Sequence, residues 1–156
     1  DLYNSISSQK GQNMKPVNRI LLIDDDTITN MMHRRVIERS GRAGVIDVAT
    51  DGREALDLLR ADLAAGRPLP ELIFLDINMP GMGGFEFLEH YAGLGIAREG
   101  QLIIVMLSTS LLHADHARAH ADPNVHDFCD KPLGAEDLRK FIADFQAQSR
   151  AHRDVA

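Results

Sequence analysis

The sequence predicts an α/β fold in which five parallel strands form one sheet with helices on both faces. Short apolar runs recur five times along the chain. Stretches whose apolar residues follow helical spacing lie between them, and Gly, Pro and Asp/Asn clusters mark the junctions. Strands alternating with helices imply parallel pairing and right-handed crossovers. With 156 residues, the chain fits one compact domain.

The first expected strand is Arg19–Ile23, which ends in three acids, Asp24-Asp25-Asp26. Ile28, Met31, Met32 and Val36 then share one helical face, which assigns Met31 and Met32 to the core rather than to a partner contact. Gly41 and Gly44 close this helical region. The second strand is expected at Val45–Ala49. Asp51 and Glu54 form a capping box for the second helix, whose apolar face is Ala55, Leu58, Leu59 and Leu63.

After the loop Gly66-Arg67-Pro68-Leu69-Pro70, the third strand, Leu72–Leu75, delivers Asp76. Ile77-Asn78-Met79-Pro80-Gly81 follows at once. Phe85, Leu88 and Glu89 open a shorter third helix, and the glycine-rich stretch from Gly93 to Gly100 leads out of it. The fourth strand is Leu102–Leu107, and the fourth helix runs from Leu111 to Ala121. Asp122-Pro123-Asn124 breaks that helix before the fifth strand, Val125–Cys129. Leu138, Phe141, Ile142 and Phe145 define the last helix at spacings of i, i+3, i+4 and i+7. Residues 1–17 are expected to be a disordered leader or an expression scar, residues 18–148 the domain, and 149–156 a flexible tail.

Composition narrows the function classes. Hydrophobic residues make up 44% and tryptophan is absent, so the core must be largely aliphatic. A net charge of −6 argues against nonspecific nucleic-acid binding. No apolar stretch reaches the ~20 residues needed to span a bilayer, and no secretory signal opens the chain. These features lead to the expectation of a soluble, cytoplasmic protein. The single cysteine, Cys129, cannot close an internal disulfide and reads as a packed thiol.

In open parallel sheets, ligands bind beyond the carboxyl ends of the strands. Those ends carry Asp24, Asp25 and Asp26, then Asp76, then Ser108, Thr109 and Ser110, then Asp130, Lys131 and Pro132. Oxygen donors without His or Cys favour a hard cation such as Mg2+. A carboxylate beside such a cation can attack phosphorus. A lysine and a hydroxyl would then stabilise the charge on the transferring group. Asp26 reads as a helix cap or a supporting residue rather than a metal ligand. His113, His116 and His120 share helical spacing but read as ordinary surface histidines.

Four segments resemble the receiver domain of bacterial two-component response regulators. They are Leu22-Ile23-Asp24-Asp25-Asp26, Leu75-Asp76-Ile77-Asn78-Met79-Pro80-Gly81, Met106-Leu107-Ser108-Thr109-Ser110 and Lys131-Pro132-Leu133. The resemblance implies a doubly wound, flavodoxin-like (βα)5 fold with strand order 2-1-3-4-5. Asp76 would be the phosphoacceptor. Asp25 would bind Mg2+ directly, Asp24 directly or through water, and the backbone carbonyl of Asn78 would complete the protein ligands. Ser108 and Lys131 would contact phosphoryl oxygens, across a cis Lys131–Pro132 peptide. Phe128 would be the switch aromatic, turning as Ser108 moves.

The implied partner is a sensor histidine kinase or a histidine phosphotransfer protein, with a homodimer through helix four, strand five and helix five. Without an output domain, the chain resembles single-domain regulators of the chemotaxis type. Serine at Ser108, phenylalanine at Phe128 and glycine at Gly83 depart from the commoner residues. Two other readings compete. A haloacid-dehalogenase-type phosphatase would want a different residue at Ile28. A degenerate receiver would bind partners without being phosphorylated.

Overall fold

The computed structural model describes residues 16–96 and 102–155. Among them, five strands alternate with five helices: β1 (Val17–Ile23), α1 (Thr27–Ser40), β2 (Ala43–Ala49), α2 (Gly52–Ala65), β3 (Leu72–Asp76), α3 (Gly84–Ala92), β4 (Ile103–Ser108), α4 (His113–Ala121), β5 (Val125–Asp130) and α5 (Ala135–Val155). The strands are all parallel, in the order β2-β1-β3-β4-β5. This is the doubly wound, flavodoxin-like order expected from the sequence.

Alternation along each strand builds two cores. Leu21 and Ile23 of β1, Ile73 and Leu75 of β3, and Ile104 and Met106 of β4 meet α2, α3 and α4 on one face. Ile20, Leu22, Leu72, Phe74, Ile103, Val105 and Leu107 meet α1 and α5 on the other. The central strands are therefore apolar through Ile20–Ile23, Leu72–Leu75 and Ile103–Leu107, as strands covered on both faces must be. The second core includes Leu138, Phe141, Ile142 and Phe145 of α5. Phe74 and Phe141 meet edge to face there, with ring centroids 6.1 Å apart.

Several expected details differ. The expected leader, residues 1–17, overruns the fold: Val17 opens β1, is buried, and donates its N–H to the Arg42 carbonyl at 2.8 Å. Residues 1–15 of that leader lie outside the described residues, as do residues 97–101 of the expected exit from α3. Gly44 lies within β2 rather than closing the first helix, with its Cα packed against the backbone of Asn18. The helix ends instead at Gly41, whose φ of 65° makes a left-handed cap. Residues expected to form a tail from Ser149 continue α5 to Val155.

The largest difference concerns α1. Ile28, Met31 and Met32 are 69%, 58% and 49% exposed, and the buried face is Asn30, His33 and Ile37. The two polar residues face inward because they satisfy backbone groups at the sheet's carboxyl end. In α2 the inward residues are Ala55, Leu56, Leu59 and Asp62, while Leu63 is exposed. Asp62 holds an inward position because it pairs with Arg19 at 2.7 Å and Arg67 at 3.1 Å. Only half of the expected capping box forms. Asp51 accepts from Glu54 N at 2.8 Å, but Glu54 accepts from Thr50. The fourth helix opens at His113, leaving Leu111 and Leu112 exposed before it.

Candidate functional site

Parallel strands all present their carboxyl ends on one edge, and the central pair, β1 and β3, delivers the acids there. Ile23 pairs with Leu75, so Asp24 and Asp76 emerge side by side. One carboxylate oxygen from each of Asp24, Asp25 and Asp76 lies within 4.8 Å of the others. Asp24 and Asp76 are buried and Asp25 is exposed. Three convergent carboxylates with no nitrogen or sulfur donor among them fit a hard divalent cation.

Lys131 reaches into this group from the loop after β5. Its Nζ is 2.5 Å from Asp24 Oδ2 and 3.1 Å from Asp76 Oδ1. The Lys131–Pro132 peptide is cis, as expected. Burial alone would lower the lysine pKa, but the hydrogen bond to Asp24 and the attraction of Asp76 outweigh it and hold the ammonium charged. Asp76 shifts the other way from a typical paired acid. Burial raises its pKa, and its acidic neighbours add to the rise against the pull of Lys131. Burial thus disfavours the charged form of the phosphoacceptor candidate.

The remaining candidates sit on the flanking strands. Ser108 ends β4 one residue beyond Leu107, the partner of Asp76, and is 1% exposed. Its Oγ accepts from Ser110 N at 2.9 Å. Thr109, its neighbour, is exposed and outside the strand. Phe128 pairs with Met106 and is half-buried. Asn78 is exposed in the loop two residues past Asp76. Gly84, further along that loop, packs against the Asp76 carbonyl and the Ile77 Cα, leaving no space for a side chain. Asp26 caps α1, accepting from Ile28 N at 3.0 Å and from the Thr29 hydroxyl at 2.8 Å, and its own N–H donates to Asp24 Oδ1 at 2.9 Å.

Sequence reasoning missed the supports beneath the site. Asn30 Nδ2 donates to the Asp24 carbonyl at 2.8 Å, and His33 Nε2 accepts from Leu133 N at 3.1 Å. One helix therefore braces both the acidic strand end and the lysine loop. The available signal was the spacing of Asn30, His33 and Ile37 at i, i+3 and i+7, a stripe as regular as the apolar one. Burial, and then the charge of Lys131, lowers the His33 pKa and keeps its ring neutral. Cys129 is a packed thiol, with burial pushing it up to about 11. Among the described residues, Asp24, Asp25 and Asp76 are the one group of acids, His or Cys close enough to share a metal. His113, His116 and His120 do not form such a group.

This geometry agrees with comparisons to known proteins. Residues 20–143 match the family model of the response regulator receiver domain. The chain belongs to that family of two-component signalling domains. It is 35% identical over 130 residues to the probable methanogenesis regulatory protein FilR2 of Methanothrix harundinacea, covering 81% of this chain and 80% of that protein. It is 32% identical over 128 residues to the two-component response regulator ORR41 of Oryza sativa subsp. japonica, covering 82% and 94%. A two-component response regulator from Cytophaga hutchinsonii has a similar crystal structure, with a TM-score of 0.79 and 33% identity over 85% of this chain and 99% of that one. Among the described residues, no helix is long and apolar enough to cross a membrane.

Proposed function

We propose that Asp76 accepts a phosphoryl group from a phosphohistidine on a sensor histidine kinase or a histidine phosphotransfer protein in the cytoplasm. The observation that carries this reading is Lys131 Nζ bridging Asp24 and Asp76 at 2.5 and 3.1 Å beside the third acid, Asp25. An Asp76 carboxylate oxygen attacks phosphorus, the P–N bond breaks, and the imidazole leaves with its electron pair. The product is a mixed anhydride, labile enough to hydrolyse. Asp24, Asp25, Asp76 and the backbone carbonyl of Asn78 would hold Mg2+. Bound there, the cation would neutralise charge on the acids and the transferring group. Lys131 then takes one phosphoryl oxygen and Ser108 another. The burial of Ser108 and the exposure of Thr109 support Ser108 as that hydroxyl.

The added dianion draws Ser108 toward the phosphoryl group and biases Phe128 and the surface of α4, β5 and α5. That surface would carry the output, including a homodimer. The incoming partner has a separate landing place. Exposed Ile28, Met31 and Met32 line a groove of about 310 Å³ between α1 and the Pro132–Leu133 segment, flanked by Arg35 and Arg39. It adjoins the lysine loop, so a phosphohistidine carried by a helix seated there is delivered toward Asp76.

Incubation with a small phosphodonor with and without Mg2+ tests the assignment by intact mass. The native chain should gain one phosphoryl group only with Mg2+, and Asp76→Asn should gain none. Equal labelling of Asp76→Asn would refute it.

A further inference from the structure

His116 of α4 touches both parts of the proposed switch. Its ring lies against the ring of Phe128, with centroids 4.1 Å apart and planes inclined by 32°. Its Nε2 is 3.2 Å from the Ser110 carbonyl oxygen. A carbonyl can only accept, so Nε2 carries the proton in this contact. Ser110 is fastened in turn on both sides. Its N–H donates to Ser108 Oγ at 2.9 Å, and its hydroxyl donates to Asp115 Oδ2 at 2.6 Å. The Leu112 N–H closes the turn onto Ser110 Oγ at 3.2 Å.

The contacts form a closed circuit. Ser108 holds Ser110, Ser110 holds His116, His116 covers Phe128, and the pairing of β4 with β5 returns to Ser108. Such a circuit has consequences for motion. Drawing the Ser108 hydroxyl toward Asp76 moves the acceptor of the Ser110 N–H. The Ser110 carbonyl moves with its own residue, so the His116 contact is disturbed, and the cover over Phe128 with it. A half-buried imidazole making one hydrogen bond and one ring contact is well suited to break both together.

We propose that His116 is a positioning residue that latches Ser108 and Phe128 in the unphosphorylated arrangement and couples their movement. This rests on the assignment of Asp76, Ser108 and Phe128 above. Loss of the latch favours the phosphorylated arrangement. A merely structural contact would act in the opposite sense, since its loss loosens the site and weakens any ligand there.

The test uses Mg2+ with beryllofluoride as a phosphoryl mimic, with affinity read by calorimetry. His116→Ala should bind the mimic about five-fold more tightly, the scale of one net hydrogen bond, with Mg2+ affinity alone unchanged. His116→Gln keeps a donor for the Ser110 carbonyl, and His116→Phe keeps the ring over Phe128. Because the latch couples the two contacts, neither variant alone should restore native affinity, and full restoration by one of them overturns the coupling. In a Phe128→Ala background, the His116→Ala effect should vanish. Unchanged or weaker binding by His116→Ala, or an effect that persists without Phe128, overturns the inference. In the native chain, saturation with the mimic should shift the His116 ring resonances, and unmoved resonances also overturn it. Failure of the native protein to bind the mimic would instead remove the functional assignment, and the latch with it.

Discussion

Lys131 Nζ donates to Asp24 Oδ2 at 2.5 Å, joining two residues 107 positions apart in the chain. In the absence of a cation, the lysine supplies the positive charge that lets Asp24 and Asp76 lie at neighbouring strand ends. On the proposed function the same ammonium would also face the phosphoryl group, giving it two electrostatic tasks. Lys131→Met separates them. Phosphorylation by a small donor should slow by about 10²–10³-fold, the usual loss for one charge-stabilising donor. Mg2+ affinity should hold or rise, because the lysine no longer competes for the carboxylates. Paired labelling kinetics and Mg2+ calorimetry check both outcomes.

Asp76 makes an opposite contribution to stability. Burial raises its folded-state pKa, so the native chain holds that proton more tightly than the unfolded chain. Ionisation therefore costs the native state at neutral pH. The cost disappears as pH falls through the raised value and below the ordinary carboxyl value of about 3.9. Without Mg2+ at pH 7, Asp76→Asn should melt a few degrees higher than the native chain. The gap should close on acidification or on adding Mg2+, as followed by circular dichroism.

His33 shows the complementary linkage. Its folded-state pKa lies below the ordinary 6.5, so below that pH the unfolded chain takes up a proton that the buried ring resists. Its stabilisation is complete above 6.5 and is lost as pH falls toward the depressed value. Urea midpoints should drop as pH falls below about 6.5, and less steeply in His33→Gln, which keeps an acceptor but does not titrate. His33→Leu leaves the Leu133 N–H without its acceptor and should cost about 1–3 kcal/mol.

Gly84 tests how rigidly Asp76 is placed. A side chain there meets the Asp76 carbonyl and the Ile77 Cα, and neither backbone group can turn aside. Gly84→Ala should destabilise the fold by about 1–3 kcal/mol. It should also slow labelling of Asp76, because relief of the clash moves the strand end. Gly41→Ala, at a left-handed cap far from the acids, should lower stability without changing the labelling rate. Denaturation curves and labelling kinetics for the two variants separate placement from general loosening.

The sequence carried the architecture because each central strand holds an uninterrupted apolar run that ends in a polar cluster. Ile20–Ile23 followed by Asp24, and Leu72–Leu75 followed by Asp76, locate both the strands and the rim of the site. The strand order came from the family resemblance, since parallel pairing alone permits several orders. Periodicity failed at α1, where Ile28, Met31 and Met32 form a regular apolar stripe that remains exposed. Helical spacing reports which residues share a face, not which face turns inward. The inward turn of α1 follows from Asn30 and His33 finding the Asp24 carbonyl and the Leu133 N–H, partners that exist only after folding. Asp62 of α2 was hidden for the same reason, its partner Arg19 lying 43 positions away.

The exposed stripe on α1 yields the remaining expectation. On the proposed function a phosphohistidine partner would take an apolar foothold on α1, where Met31 belongs to the exposed Ile28–Met31–Met32 patch. Met31→Asp places a charge in that foothold without touching the acids or the lysine. An exposed helical position tolerates it, so the melting temperature should hardly change. Transfer from the cognate kinase or phosphotransfer protein should fall about tenfold, as expected when a contact of roughly 1–2 kcal/mol is lost. Labelling by a small phosphodonor, which needs no foothold, should remain at the native rate. Equal losses with both donors would place the defect at Asp76 rather than at the docking surface.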